Sequence, residues 1–194
     1  METIKYKDVK PSKEALVEVN RILSKDFIEK LVQNHGVFPR ESYDEVIRDL
    51  DIFIKLNHQL VQIYTVLEGT VDKKRILDLG CGAYGNRTVE STWDTARRYE
   101  PWLCRALMEL GANPIGIDIG SLNREKFEHY SINLLEPDAL KFLETSSIDV
   151  ANASMLFDSP TLEDMTRIES EKLKKLLIPQ LERIVKPDGH FLVY

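Results

Sequence analysis

The run Arg75-Ile76-Leu77-Asp78-Leu79, followed at once by Gly80-Cys81-Gly82-Ala83-Tyr84-Gly85, restricts the folds open to this chain more than any other segment. A short apolar run of this kind reads as a buried strand. The glycines after it let the backbone approach a ligand and take conformations closed to other residues. Alone, the G-x-G-x-x-G spacing is a weak signal. Here a strand precedes it, and the next strand, Asn113 to Ile119, carries Asp118 near its end. An acid so placed can accept hydrogen bonds from both hydroxyls of a ribose, so the pair of features points to a nucleotide-like ligand.

The rest of the chain extends the same pattern. Phe127 to Leu134, Ile148 to Met155 and Phe191-Leu192-Val193-Tyr194 read as further strands. Between strands, Pro101 suits a helix N1 position, with Leu103, Leu107 and Leu110 following before Gly111 closes the helix. Leu173, Leu177, Leu181 and Ile184 mark another helix, ended by Lys186-Pro187-Asp188-Gly189. Strands alternating with helices predict an α/β protein with a doubly wound, mainly parallel sheet of about five strands. Ligands of such sheets bind outside the carboxyl ends of the strands.

The first third of the chain is helical in pattern instead. Leu16, Val19, Leu23, Phe27 and Leu31 share one helix face, Asn34-His35-Gly36 supplies a stop, and a restart is expected near Ser42. Val46, Leu50, Phe53, Leu56, Leu60, Ile63 and Leu67 form a second stripe, widened by Ile47, Ile54 and Val61. The expected division is an N-terminal helical extension or cap over 1–72 and a sheet domain over 73–194.

Composition narrows the classes of function. The net charge of -6 gives no bulk attraction for nucleic acid. The basic groups at Lys73-Lys74-Arg75 and at Lys172, Lys174 and Lys175 read as solvated faces, so nucleic acid is the less favoured partner. No apolar run is long enough to span a bilayer, and the N-terminus lacks the pattern of a secretory signal. A cytoplasmic protein without membrane partners is expected. Cys81 and Cys104 do not make a disulfide framework, and His35, His58, His129 and His190 lack ligand spacing, so no metal site is expected.

Asp78 separates the candidate ligands. It stands two residues before the first glycine, where a dinucleotide would place its pyrophosphate. A carboxylate there repels phosphate in a partly dry site, whereas it suits the α-ammonium of a methionine moiety. Around it, Ile76-Leu77-Asp78-Leu79-Gly80-Cys81-Gly82 resembles the first motif of class I S-adenosylmethionine-dependent methyltransferases, and Gly116-Ile117-Asp118-Ile119 resembles the second. Ser147-Ile148-Asp149-Val150-Ala151-Asn152-Ala153-Ser154 is similar to the fourth-strand motif of that family. Arg183-Ile184-Val185-Lys186-Pro187-Asp188-Gly189 is similar to the turn before its fifth strand.

The resemblance covers about Lys74 to Tyr194 and implies a Rossmann-like sheet with S-adenosylmethionine as cofactor. It implies that Asp78, Gly80, Cys81, Gly82 and Gly85 surround the methionine part. Asp118 would hold the ribose, Ile119, Asn133 and Leu134 would lie at the adenine, and Ala153 and Ser154 near the sulfonium. The implied activity is methyl transfer to an acceptor, a small molecule being favoured. The alternative is a non-catalytic cofactor sensor or partner subunit of the same fold. Asp158 and Tyr84 are the candidate bases.

Two departures from the family stand out. Asp118 lies 33 positions beyond Gly85, and the extra segment over 86–100 reads equally as a lid or as an extended helix. The sequence also stops at Tyr194, whereas the family's sheet usually continues with two more strands. The expectation is a fifth-strand edge covered by the N-terminal helices or by a second subunit in a homodimer, or a reduced sheet.

Overall fold

The computed structural model describes residues 9–35, 50–83, 100–154, 156–157 and 167–193. In chain order the elements are helices α1 (Lys13–Ile22), α2 (Lys25–His35) and α3 (Leu50–Val66), strand β1 (Arg75–Leu79), helix α4 (Trp102–Glu109), and strands β2 (Asn113–Asp118), β3 (Glu128–Ser131) and β4 (Ile148–Ala153). Helix α5 (Arg167–Ile184) and strand β5 (Val185–Val193) complete them. All strand pairs are parallel, in the order β3-β2-β1-β4-β5. The chain is therefore a Rossmann-like α/β protein. From β1 the strands step outward to β2 and β3, then return to β4 and β5 on the other side. The reversal falls between β1 and β4, and the crevice at their carboxyl ends is the topological switch point.

Strand alternation sorts the core onto two faces. Ile76, Val150 and Leu192 join Trp102, Leu103 and Leu107 of α4 and the buried sides of α1, α2 and α3 in one cluster. Leu77, Leu79, Ile115, Ile117, Ala151 and Phe191 join Leu173, Leu177, Leu181 and Ile184 of α5 in the other. The N-terminal helices thus pack on the same face of the sheet as α4.

The first helical stripe divides in two. Ser12 caps α1, its hydroxyl accepting from the Ala15 N–H at 3.0 Å. Ser24 restarts the chain as α2, its carbonyl accepting from the Ile28 N–H at 3.1 Å. This break turns the expected face: Ala15, Val19 and Ile22 are buried in α1, while Leu16 is 41% exposed. In α3 the burial runs through Ile52, Leu56, Leu60, Val61 and Ile63, and Ile54, expected to widen the buried stripe, is 59% exposed. The restart near Ser42 and the positions Val46 and Ile47 lie outside the described residues.

Several element ends also move. Pro101 is the N-cap residue of α4 rather than its first helical residue. β2 ends at Asp118, one residue before Ile119, and β3 is shorter than its apolar run because Ile132 leaves the ladder after donating to the Asp118 carbonyl. β5 begins at Val185, so the expected Lys186-Pro187-Asp188-Gly189 turn lies inside the strand. There Ile148 pairs with Val185 and Val150 with His190, the intervening residues of β5 bulging out of register. Gly189 makes this possible: a Cβ on it would meet the carbonyl oxygens of Asp149 and Ile148 at 2.9 and 3.0 Å.

Candidate functional site

The glycine loop is built by backbone contact with β2. The N–H groups of Gly80 and Cys81 both donate to the Ile117 carbonyl, at 2.8 and 3.1 Å. Gly80 and Gly82 have φ of +67° and +91°, conformations that a side chain would strain. The Asp118 carboxylate holds this arrangement from the end of β2, accepting from the Gly82 N–H and the Gly120 N–H, each at 3.0 Å. Its orientation is thereby fixed before any ligand arrives.

Behind the loop lies Asp78, 2% exposed. β1 and β4 run in register, so Asp78 stands beside Asn152, whose amide donates to Oδ1 at 2.6 Å. The Cys104 thiol approaches the other carboxylate oxygen at 3.9 Å. Burial pushes the Asp78 carboxyl up to about 6; the Asn152 hydrogen bond and the charge of Lys55 on α3 act against that, and the charge of Asp118 adds to it. No cation of the described residues comes within 4.0 Å of it. At neutral pH this leaves an anion compensated by a neutral amide, a neutral thiol and a lysine that does not touch it.

The sulfurs of Cys81 and Cys104 fill the space above Gly116, whose missing side chain would meet them at 3.0 and 3.4 Å and Phe127 at 2.7 Å. Burial holds the Cys104 thiol well above its ordinary pKa. For Cys81 the hydrogen bond with Cys104 pulls downward, but burial and the nearby carboxylates outweigh it. Both are protonated thiols, which suits packing rather than nucleophilic chemistry.

A cleft of about 320 Å³, counted out to solvent, opens from Asp78, Gly80 and Cys81 toward α3 and α4. Its walls include Ile52, Lys55, Leu56 and Gln59 from α3, together with Glu100, Trp102 and Leu103. The α4 side is stiffened by Arg105, fully buried. Its guanidinium pairs with Glu100, reaches both carboxylate oxygens of Glu125 at 2.6 and 3.0 Å, and lies 4.9 Å from the Trp102 ring centre. This network ties the start of α4 to the loop after β2.

Of the residues singled out from sequence, Asp78, Gly80 and Cys81 line the cleft, and Gly82 and Asp118 are bonded beside it. Ile119 follows with 66% of its surface exposed. Asn133 is exposed beyond β3, its side-chain Oδ1 accepting from the Leu135 N–H at 3.0 Å, and Leu134 is buried in the α5-side core. Ala153 and Ser154 are buried at the end of β4. Gly85, Tyr84 and Asp158 lie outside the described residues, as does the 86–99 segment.

The sequence motifs give no role to Asn152, Cys104, Lys55, Gln59 or Arg105. A polar Asn152 within an apolar strand was a readable signal. The others sit at helical positions that look like ordinary solvated or core sites. Among the described residues no three His, Cys, Asp or Glu side chains gather as a metal site, and no helix is long and apolar enough to cross a membrane.

No protein-family model matches the sequence, and no curated protein does. Several solved structures are similar at low identity, three of them as follows. The CurJ carbon methyltransferase is 13% identical, with a TM-score of 0.42 over 92% of this chain and 46% of that one. The geranyl diphosphate C-methyltransferase of Streptomyces coelicolor A3(2), solved with Mg2+, geranyl diphosphate and S-adenosyl-L-homocysteine, is 11% identical, with a TM-score of 0.38 over 95% and 66%. The trans-methyltransferase CalH, solved with SAH, is 15% identical, with a TM-score of 0.39 over 93% and 52%. The chain spans less than two thirds of each. Its fold rests on its own strand order, and its chemistry on the residues of the crevice.

Proposed function

We propose that this protein binds S-adenosylmethionine at the carboxyl ends of β1 and β2 and transfers its methyl group to a small-molecule acceptor. The observation that carries this reading is Asp78: a buried carboxylate at the switch-point crevice, with no cation in contact among the described residues, beside a glycine loop. A pyrophosphate placed there would meet like charge in a poorly solvated site. An α-ammonium would supply the missing countercharge, and the residues present fit the amino-acid end of this cofactor. Asp118, already oriented by Gly82 and Gly120, faces the position of a ribose in this reading. Ile119, Asn133 and Leu134 belong to the adenine side, and Ala153 and Ser154 to the sulfonium side.

S-adenosylmethionine supplies an activated methyl carbon: the carbon–sulfur bond breaks with its electron pair going to sulfur as the acceptor forms its bond in line. The chain's part is to hold donor and acceptor in that line and to keep water out. A hydroxyl or ammonium acceptor also loses a proton and needs a base, for which Tyr84 and Asp158 remain the candidates. In this reading residues 73–194 are the cofactor-binding unit and residues 1–72 its helical cap, in a cytoplasmic enzyme.

Titration calorimetry with S-adenosylmethionine and S-adenosylhomocysteine tests the binding step. Absence of heat at millimolar ligand, a Kd weaker than about 1 mM, sinks the reading. Transfer of a labelled methyl group across acceptor classes tests catalysis. Binding without any turnover would favour the non-catalytic role instead.

A further inference from the structure

The lining of the cleft carries both signs of charge. Asp78 comes from β1, and Lys55 comes from α3, a helix outside every glycine-loop and strand motif of the sequence. Lys55 is half-buried, and its charge is felt at Asp78. Yet the two do not meet: no ion pair within 4.0 Å joins Lys55 to Asp78 or to any other described residue. Gln59 stands one turn further along α3, on the same helix face. It is 5% exposed and lines the same cleft.

A lysine recruited only to stabilise Asp78 would be expected to close onto it, since a buried charge gains most from contact. Lining one cleft without touching, the two charges suit a ligand that bears both signs close together. An α-amino acid carries its ammonium and carboxylate on one carbon. We propose that Lys55, supported by Gln59, binds the α-carboxylate of the ligand whose α-ammonium rests on Asp78. The helix α3 is then a specificity-determining wall of the site. This inference rests on the S-adenosylmethionine reading for the identity of the ligand, and it adds which part of the chain selects for an intact amino-acid end. A ligand with the ammonium but no carboxylate leaves Lys55 facing a cation, and one with neither group engages neither wall.

The test uses calorimetry on the full chain with three probes: S-adenosylhomocysteine, decarboxylated S-adenosylmethionine, and 5′-methylthioadenosine, which lacks both charged groups. Lys55→Gln is expected to weaken S-adenosylhomocysteine by at least about tenfold, the loss of one charge-assisted contact. Affinity for 5′-methylthioadenosine should stay within about twofold, and decarboxylated S-adenosylmethionine, no longer facing a second cation, should bind as tightly as before or more tightly. Lys55→Arg should restore most of the S-adenosylhomocysteine affinity. An unchanged thermal midpoint in both variants shows that the fold is intact. Equal loss on all three probes, or no loss on S-adenosylhomocysteine, overturns the proposal while the cofactor reading stands. Failure of the unmodified protein to bind any of the three overturns both.

Discussion

Asp149 stands near the start of β4 and Asp78 near the end of neighbouring β1, and their surroundings differ in sign. Asp149 accepts the Arg75 backbone N–H at 2.9 Å and the Lys186 ammonium at 2.9 Å, with the Lys74 ammonium at 3.6 Å. Burial raises its pKa, but these partners more than offset that, and the net shift is downward. Asp78 has only neutral donors beside it among the described residues, the Asn152 amide at 2.6 Å and the Cys104 thiol at 3.9 Å, and burial carries it up to about 6. At the amino end of the sheet the charge is matched within the fold, which stabilises it. At the carboxyl end a charge is held under-compensated, as functional sites often require. The difference teaches where the molecule keeps free energy available for a ligand.

The largest expected effect reverses the usual sign of a site mutation. The folded pKa of Asp78 lies above its unfolded value of 3.8, so the folded state binds the extra proton between those values. Stability is therefore lost as pH rises through about 6, and the loss is complete above it. A carboxyl carried from 3.8 up to about 6 forfeits about 3 kcal/mol of stability once ionised. Asp78→Asn should stabilise the ligand-free protein at pH 8 by up to that amount, with the gain fading toward pH 4 in urea titrations. Its S-adenosylhomocysteine affinity should fall by about tenfold or more. A variant less stable than the parent at pH 8 would break the comparison.

Gly189→Ala acts at the other end. Its Cβ would press on the backbone carbonyls of Ile148 and Asp149, which cannot swing aside. A loss of about 1–3 kcal/mol is expected by denaturant midpoint, with ligand affinity nearly unchanged. Asp149→Asn should cost about 1–2 kcal/mol at pH 7. Because the folded pKa of Asp149 is depressed, its contribution is present above the unfolded value and lost as pH falls through the folded one. The deficit of the variant should shrink in acid, the opposite trend to Asp78→Asn. The smallest effect belongs to Asp118→Asn. Removing that charge should move the Asp78 titration, followed by carboxyl carbon NMR, to lower pH. An unmoved or higher midpoint would show that the two carboxylates are not coupled.

Much of the fold was legible because it rests on local signals. The apolar run before Gly80, the strand ending at Asp118 and the leucines of α5 each declare their element within a few residues, and parallel pairing follows from their alternation. Boundaries were less readable. Ser24 ends one helix and starts another within an unbroken apolar rhythm, and the Lys186–Gly189 turn bulges inside β5 because Gly189 lets the backbones close. Of the residues at the cleft, Asp78, Asp118, Gly80 and Gly82 are readable from their type and position. Arg105 is not, since a helical arginine usually faces solvent, and it is the carboxylates of Glu100 and Glu125, with the Trp102 ring, that make its complete burial tolerable.

By itself the sequence determined the α/β alternation, the glycine loop and the presence of acids at the ends of its first two strands. These depend on periodicity and on backbone conformations that few residues tolerate. Tertiary structure alone decided what those acids meet. Asn152 lies 74 residues from Asp78 and reaches it only through the register of β1 with β4. Lys55 arrives on a helix whose pattern concerns only the core. Burial and charge at Asp78 are sums over neighbours brought together by packing, and no local pattern encodes such a sum.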